Sequence, residues 1–493
     1  MCRFFVRYVT IFILFPLANA WPLHAQENPE NQPPPEDQLV TPYRIELLAE
    51  NLRVPWALVF LPDRRIFFTE RTGKVRVLHN DALLPDPALT IDVAQGNKMG
   101  MLGLAADPHF ADNHFLYLAY DYRLEPFDPQ QPQFRLRVVR YREENDKLVE
   151  PHTLIENIPA WSNHTGCRLR FGTDGKLYLT TGDANDPPTA QLLDHYNGKI
   201  LRMNPDGSAP DDNPFIHQNG ARPEIWSYGH RNPQGFDFQP GSGRMLETEH
   251  GPLGGDEINW VLPGHNYGWP VIDHRANHAG METPFLEFSP SIAPGSASFY
   301  RGNTFPELRG NFLVACLRGE GLLRVELDGG HCRKVSWLFH HTFGRIRECT
   351  ESPEGYLYVS TSQQDPVEGQ PRPGDNDDLL LRIVPASVPP SGHRIYTPPV
   401  KVQDLAQPAP SVGSVERLIA QNCMACHGRG LAGGMQKSLV EGQWKYVTDD
   451  ASLKRVIKEG LPKLGMPPTH ALSDSDVNAI VVYIREQERK NRH

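Results

Sequence analysis

Along the larger part of the chain the apolar positions fall in short runs separated by Gly, Pro, Asn and Asp. Three stretches share one pattern: Leu61-Pro62-Asp63-Arg64-Arg65-Ile66-Phe67-Phe68-Thr69, Gly172-Thr173-Asp174-Gly175-Lys176-Leu177-Tyr178-Leu179-Thr180 and Ser352-Pro353-Glu354-Gly355-Tyr356-Leu357-Tyr358-Val359-Ser360. Each reads as a turn leading into a short β run. Repeated turn-and-strand units with scarcely any helical periodicity predict a β-propeller rather than a sandwich, because radial repetition absorbs such length in one domain. The pattern does not by itself give the number of blades. Near the end the rhythm changes. Val415, Leu418 and Ile419, then Leu453, Val456 and Ile457, then Val477, Ile480, Val481 and Ile484 recur at three-to-four spacing. That spacing predicts helices with one apolar face, hence a small all-α domain. Ser473-Asp474-Ser475-Asp476 resembles a capping box at the start of the last helix.

Composition sets the boundaries. A chain of 493 residues exceeds what one small core organises. Residues 1–20 carry Arg3 and Arg7, an apolar run and Ala18-Asn19-Ala20, the pattern of a secretory signal peptide. Its apolar run is too short to span a bilayer, and no later segment comes close. The expected organisation is a signal peptide (1–20), a Pro-rich linker (21–41), the propeller (42–385), a second Pro-rich linker (386–410) and the helical domain (411–493). The protein is therefore expected to be periplasmic or secreted, with no membrane span.

The net charge of −10 becomes −12 once Arg3 and Arg7 leave with the signal. Residues 411–493 hold 12 basic and 9 acidic side chains, a net +3, so the remainder carries −15. This balance argues against a nucleic-acid partner. Among the cysteines, Cys167, Cys316, Cys332 and Cys349 allow up to two disulfides in an oxidising compartment, with the pairing open.

Cys423-Met424-Ala425-Cys426-His427 has the spacing for a covalently attached c-type haem. Cys423 and Cys426 reach the haem vinyls while His427 reaches the iron. Met466, in Leu464-Gly465-Met466-Pro467-Pro468, has a placement resembling the sixth ligand of small class I cytochromes c. His/Met ligation leaves no open coordination site and suits single-electron transfer.

Four polar clusters lie among the strands of the large domain: Trp161 to Arg168 around His164, Gly229 to Gly235 around Arg231 and Asn232, Glu249 to Asn259 followed by Asn266-Tyr267-Gly268-Trp269-Pro270, and Gly344 to Glu348 around Arg345 and Arg347. Arg345 and Arg347, two apart, are expected on one strand face, suited to gripping carboxylates. Gly251 and Pro252 offer backbone oxygens beside Asp256 and Glu257, the hard ligands calcium prefers.

Together with Val54-Pro55-Trp56-Ala57-Leu58-Val59-Phe60-Leu61-Pro62-Asp63 and Gly100-Met101-Leu102-Gly103-Leu104-Ala105, these motifs resemble the soluble, calcium-dependent pyrroloquinoline quinone (PQQ) glucose and aldose sugar dehydrogenases, also grouped as glucose/sorbosone dehydrogenases. The resemblance covers essentially all of 42–385 and implies an all-β six-bladed propeller with PQQ over its central mouth. It implies that His164 is the general base for the sugar's anomeric hydroxyl. It also implies that Arg168, Arg231, Asn232, Arg318, Arg345 and Arg347 contact PQQ, that Gly251 and Pro252 bind a calcium polarising PQQ, and that Glu257 and the Tyr267 carbonyl bind a second, structural calcium. Arg318 stands where the family usually has Lys, and Lys98-Met99 and Ala184 to Pro188 depart from the glucose enzymes, so glucose specificity does not carry over.

The expected protein is a quinohaemoprotein that oxidises an aldose at C1 to a lactone and passes electrons through its own haem to an external acceptor such as another cytochrome or a copper protein. The alternatives are a PQQ dehydrogenase for another alcohol or an oligosaccharide, a non-catalytic carbohydrate-binding propeller carrying a cytochrome, and a hydrolytic propeller like the calcium lactonases.

Overall fold

In the computed structural model, residues 34–94, 98–125, 134–252, 254–363 and 378–398 are described, together with 415, 419, 423, 431, 438–439, 447, 449–460 and 474–491. The strands form six antiparallel sheets arranged as the blades of a propeller. Blade 1 is Pro55–Phe60, Ile66–Glu70, Lys74–His79 and Ala82–Leu83, with Leu89–Thr90 pairing back on the third strand. Blade 2 is Met101–Ala106, Phe115–Arg123, Phe134–Glu144 and Lys147–Ala160; blade 3 is Leu169–Phe171, Leu177–Thr181, Lys199–Met203 and Ile225–Tyr228. Blade 4 is Pro233–Phe238, Met245–Glu249, Asp256–Val261 and Leu286–Phe288; blade 5 is Pro294–Phe299, Phe312–Cys316, Gly321–Asp328 and His331–Leu338. Blade 6 is Ile346–Glu351, Leu357–Thr361 and Asp378–Pro385 with Tyr43–Leu52 outside them.

That last pairing closes the ring. Tyr43 opposes Pro385 and Ile45 opposes Ile383, so the first strand of the domain completes its last blade and removes an open edge. Arg394–Ile395 then adds a further short strand on Glu46 and Leu47, inside the stretch expected to be a linker. Upstream, residues 35–41 are also tied down: Trp337 N donates to the Pro35 carbonyl at 2.9 Å and Thr41 N to Glu307 at 2.8 Å.

The second strands of blades 1, 3, 4, 5 and 6 are buried along their whole length, because both faces of an inner strand pack against neighbouring blades. This is why the sequence shows short apolar runs rather than strict alternation. The three recurring stretches are the first hairpins of blades 1, 3 and 6, with Val59↔Phe67, Arg170↔Tyr178 and Thr350↔Tyr358 in register.

Neighbouring strands are antiparallel, so each innermost strand begins, and each second strand ends, at one mouth of the ring. The polar clusters lie there. Arg231 and Asn232 precede Pro233, Arg345 precedes Ile346, Asp183 follows Thr181, His250 to Pro252 follow Glu249, and Arg318 follows Cys316.

In the C-terminal domain, helices Asp450–Glu459 and Asp474–Asn491 are described. Ile419, Leu453, Ile457, Val477, Ile480, Val481 and Ile484 share one core, with Leu431. A capping box is found on the earlier helix, where Asp449 Oδ1 accepts from Ser452 N at 2.7 Å and Ser452 Oγ from Asp449 N at 3.0 Å. The box expected at 473–476 starts on Ser473, which lies outside the described residues. So do the segment expected to be a signal peptide, Cys426, His427 and Met466. Cys167, Cys316 and Cys349 are buried free thiols, so none of the pairings left open among the four cysteines forms. Among the described residues no helix is long and apolar enough to cross a membrane.

Candidate active site

His164 sits in the segment leading to blade 3, with a left-handed φ of 56°. Its backbone carbonyl accepts from Ala184 N at 3.0 Å, and a Cβ at Gly182 would lie 2.1 Å from that same oxygen, so the approach of the two segments requires glycine there. The ring Nδ1 lies 2.7 Å from Asp183 Oδ1. A carboxylate only accepts, so Nδ1 carries the proton and a neutral ring presents the lone pair of Nε2. Burial, then the neighbouring Arg231 charge, hold the imidazole below its ordinary pKa against the pull of Asp183.

Asp183 is fully buried and its carboxylate is shared. Oδ1 also accepts Asn185 N at 2.9 Å, and Oδ2 accepts the Trp269 indole N–H at 2.8 Å. Burial pushes this carboxyl up, but the His164 hydrogen bond and the His164 and Arg231 charges outweigh it and keep it below the usual carboxylate range.

Arg231 donates its backbone N–H to Glu249 at 2.8 Å and Nη1 to the His250 carbonyl at 2.9 Å; its guanidinium carbon lies 5.2 Å from the Trp269 ring centre. Asn232 Oδ1 accepts from Gly166 N at 3.2 Å. Arg345 donates to the carbonyls of Leu317 and Ser362, both at 3.3 Å, and so stays with the turns of blades 5 and 6. Arg347 reaches across the ring, donating to Gln234 of blade 4 at 2.7 Å and stacking 3.9 Å above Trp56 of blade 1. The two arginines were expected to share one strand face. The strand begins at Ile346 and its register shifts between Ile346 and Glu348, so their side chains part, one to the rim and one to the axis.

Arg168 lies deeper, its Nη1 2.6 Å from Glu348, and this pair lines a cavity of about 650 Å³ with Arg170, Arg301 and Glu351, near the far ends of the inner strands. Arg318 is exposed on its turn. His164, Arg231, Asn232, Arg318, Arg345 and Arg347 thus lie at or next to the strand ends of one mouth, with His164 beside Arg231 and Arg345 beside the Arg318 turn, while Arg168 lies further along the ring with Glu348.

The calcium candidates fall in two places. Gly251 N donates to Asp256 at 2.9 Å, and a Cβ on Gly251 would meet the Gly254 and Gly255 carbonyls at 2.1 and 2.2 Å, so the turn needs glycine. Among the described residues, neither the Gly251 nor the Pro252 carbonyl accepts a hydrogen bond, which leaves both oxygens open to a cation. Glu257 lies in a buried cluster with Glu247, Glu249, Asn259 and His230, of which only Glu247 fell outside the polar clusters read from the sequence. Glu249 pairs with Glu257 and Glu247 with Asn259 across adjacent strands, so all four share a face. His230, Glu247 and Glu249 offer ligand atoms within 4.8 Å of one another. Among the described residues, His230 Nδ1, Glu247 Oε2 and Asn259 Oδ1 are buried with no hydrogen-bond partner. Burial and mutual repulsion push Glu247 and Glu257 well above the ordinary carboxylate range. Tyr267 stacks on His230 at 4.5 Å and donates its hydroxyl to the Trp260 carbonyl at 2.6 Å. The spacing by two in Glu247-Thr248-Glu249 and Glu257-Ile258-Asn259 was the signal available in the sequence.

In the C-terminal domain, Cys423 is half-buried and donates its backbone N–H to the Ile419 carbonyl at 2.9 Å, a helical contact.

A six-bladed ring with a basic, histidine-bearing mouth, followed by a domain carrying a haem-attachment motif, places the chain among propeller oxidoreductases that carry a cytochrome c domain. The chain belongs to the Glucose / Sorbosone dehydrogenase family, matched over residues 52–367, and residues 410–484 match the family of Cytochrome C oxidase, cbb3-type, subunit III. It is 34% identical over 336 residues to Aldose sugar dehydrogenase YliI of Escherichia coli, covering 65% of this chain and 90% of that protein. The crystal structure of the soluble aldose sugar dehydrogenase from Escherichia coli in the apo-form matches with a TM-score of 0.63 at 32% identity, over 70% of this chain and 99% of that one. The PQQ-bound form of aldose sugar dehydrogenase from Streptomyces coelicolor matches with a TM-score of 0.59 at 27% identity, over the same shares.

Proposed function

We propose that the propeller oxidises the C1 hydroxyl of aldose sugars to the lactone with PQQ, and that the electrons pass to the protein's own c-type haem. The observation that carries this reading is the His164–Asp183 pair, 2.7 Å apart, set beside Arg231. When bound, PQQ supplies a two-electron acceptor and the haem a one-electron carrier. Neutral His164 takes the proton of the anomeric hydroxyl at Nε2, and Asp183 orients the ring and stabilises the imidazolium that results. Arg231, Arg345 and Arg347 offer a tricarboxylate charge-assisted hydrogen bonds, and the buried, unpartnered Nε–H of Arg231 is a donor that such a ligand would satisfy. The open carbonyls of Gly251 and Pro252 suit one calcium, and the carboxylates around Glu257 suit another. Cys423 and Cys426 would anchor the haem, with His427 and Met466 as its axial ligands. An exported location, and an acceptor such as a small cytochrome or copper protein, fit this chemistry.

The test is to reconstitute the apo-protein with PQQ and calcium, add a panel of aldoses, and follow the haem absorption band. Aldoses are expected to reduce the haem, and His164→Gln to slow that reduction by about 10²–10⁴-fold with PQQ still bound. Absence of haem reduction by every sugar, with PQQ demonstrably bound, would remove the proposal. Product formed without any electron acceptor would instead indicate hydrolysis.

A further inference from the structure

The mouth of the ring contains a group that the proposed chemistry does not use. Trp269 lies at the end of a segment that runs beside the outer strand of blade 3: Gly264 N donates to Trp226 O at 2.7 Å, Tyr267 N to Tyr228 O at 2.8 Å and Trp269 N to Gly229 O at 2.9 Å. Its carbonyl accepts Gln191 Nε2 at 2.7 Å. With both sides of its backbone fixed, the indole projects toward two groups at once. The indole N–H meets Asp183 Oδ2 at 2.8 Å, and the ring faces the Arg231 guanidinium at 5.2 Å.

We propose that Trp269 is a positioning residue: its N–H locks the rotation of the Asp183 carboxylate so that Oδ1 faces His164, and its ring holds Arg231 beside the same histidine. This inference rests on the reading of His164 as the base. A buried carboxylate with a fixed donor on one oxygen cannot turn about its terminal bond without losing that hydrogen bond. The indole also withdraws charge density from the oxygen pair, which makes Asp183 a weaker acceptor toward His164 than it would otherwise be. Asp183, Arg231 and His250 are the titratable groups that face His164. Asp183 favours the imidazolium and Arg231 disfavours it, whereas His250, lowered to about 3 by burial and then the neighbouring Arg347 and Arg231 charges, stays neutral. Removing the N–H strengthens the first influence, and removing the ring releases Arg231 and weakens the second. Both changes move the His164 pKa upward and leave less free base at a given pH.

The experiment uses the full chain without PQQ, labelled with ¹⁵N-histidine, with the His164 resonance identified by its loss in His164→Gln. Trp269→Phe, which keeps a ring and loses the N–H, is expected to raise the His164 pKa by about half a unit, and Trp269→Leu to raise it further. In the PQQ-loaded protein the acid limb of kcat/KM should move up by the same amount, with kcat lowered and KM within about twofold. In an Asp183→Asn background, Trp269→Phe should leave the His164 titration unchanged. An unaltered pKa in a Trp269→Phe protein of unchanged circular dichroism and melting temperature overturns the proposal, as does an equal shift with and without Asp183. Should phenylalanine disturb the fold, 3-benzothienylalanine at position 269 keeps the bicyclic shape and removes only the N–H. Full sugar oxidation by His164→Gln would instead defeat the base reading, while the titration result would still stand or fall on its own.

Discussion

Glu247, Glu249 and Glu257 share a buried strand face with the single amide of Asn259 between them. Asn259 Nδ2 donates to Glu247 at 2.8 Å and to Glu257 at 3.0 Å, and Arg231 N to Glu249 at 2.8 Å, still too few donors for three carboxylates. At neutral pH such a face either binds protons or binds a cation. If it binds calcium, the metal stabilises the folded state by mass action, about 2.7 kcal/mol at a hundredfold excess over Kd. Calorimetry in calcium and then in a chelator is expected to show a lower Tm in the chelator. Glu247→Gln separates this site from the one at Gly251 and Pro252. Relieving one repulsion should make the variant melt higher than the parent in the chelator, and it should gain less from calcium. Equal calcium gains in the two proteins would argue against a cation at this face.

At the scale of elements, the segment from Gly182 to Leu192 carries Asp183 and is anchored from below. The Lys199 ammonium is buried and donates to the carbonyls of Thr189, Ala190 and Asn197 at 3.0, 3.0 and 2.6 Å. Lys199→Met would leave these carbonyls without their donor, at a cost of about 1–3 kcal/mol. The expected result is a Tm several degrees lower and faster amide hydrogen exchange in residues 184–191, with PQQ affinity nearly unchanged. Exchange as slow as in the parent would show that the segment holds without the lysine. Elements also set how much could be read in advance. The hairpins of blades 1, 3 and 6 repeat one turn chemistry and were legible. Blade 2 inserts the short helix Phe110–Asn113 at the equivalent turn and blade 5 the 3₁₀ turn Pro306–Leu308, which hides the repeat and left the blade number to a family resemblance. His164, Arg231 and Arg347 were singled out through the family resemblance of their motifs. Asp183 and Trp269 were not, because their roles depend on a contact across 86 positions of sequence that exists only once the ring has closed.

On the scale of the whole molecule, the proposed function raises the question of which haem would receive the electrons. Tyr396 N bonds to the Ile45 carbonyl on the outer edge of blade 6, and the sequence predicts the helical domain from residue 411, so the 14 residues between them span at most about 50 Å. A tether of that order gives an effective local concentration near the millimolar range. The opposite net charges, +3 on residues 411–493 and −13 on the rest of the chain, favour encounter and lose that influence as salt rises. At micromolar protein an attached haem therefore competes far better than the haem of another molecule. Stopped-flow mixing of the PQQ-loaded protein with an aldose should give a haem-reduction rate constant independent of protein concentration over a hundredfold range. A rate constant that rises in proportion to protein concentration would mean that electrons leave one molecule for the haem of another. Raising the ionic strength should slow the reduction while its first-order character persists, because screening weakens the charge attraction but leaves the tether intact.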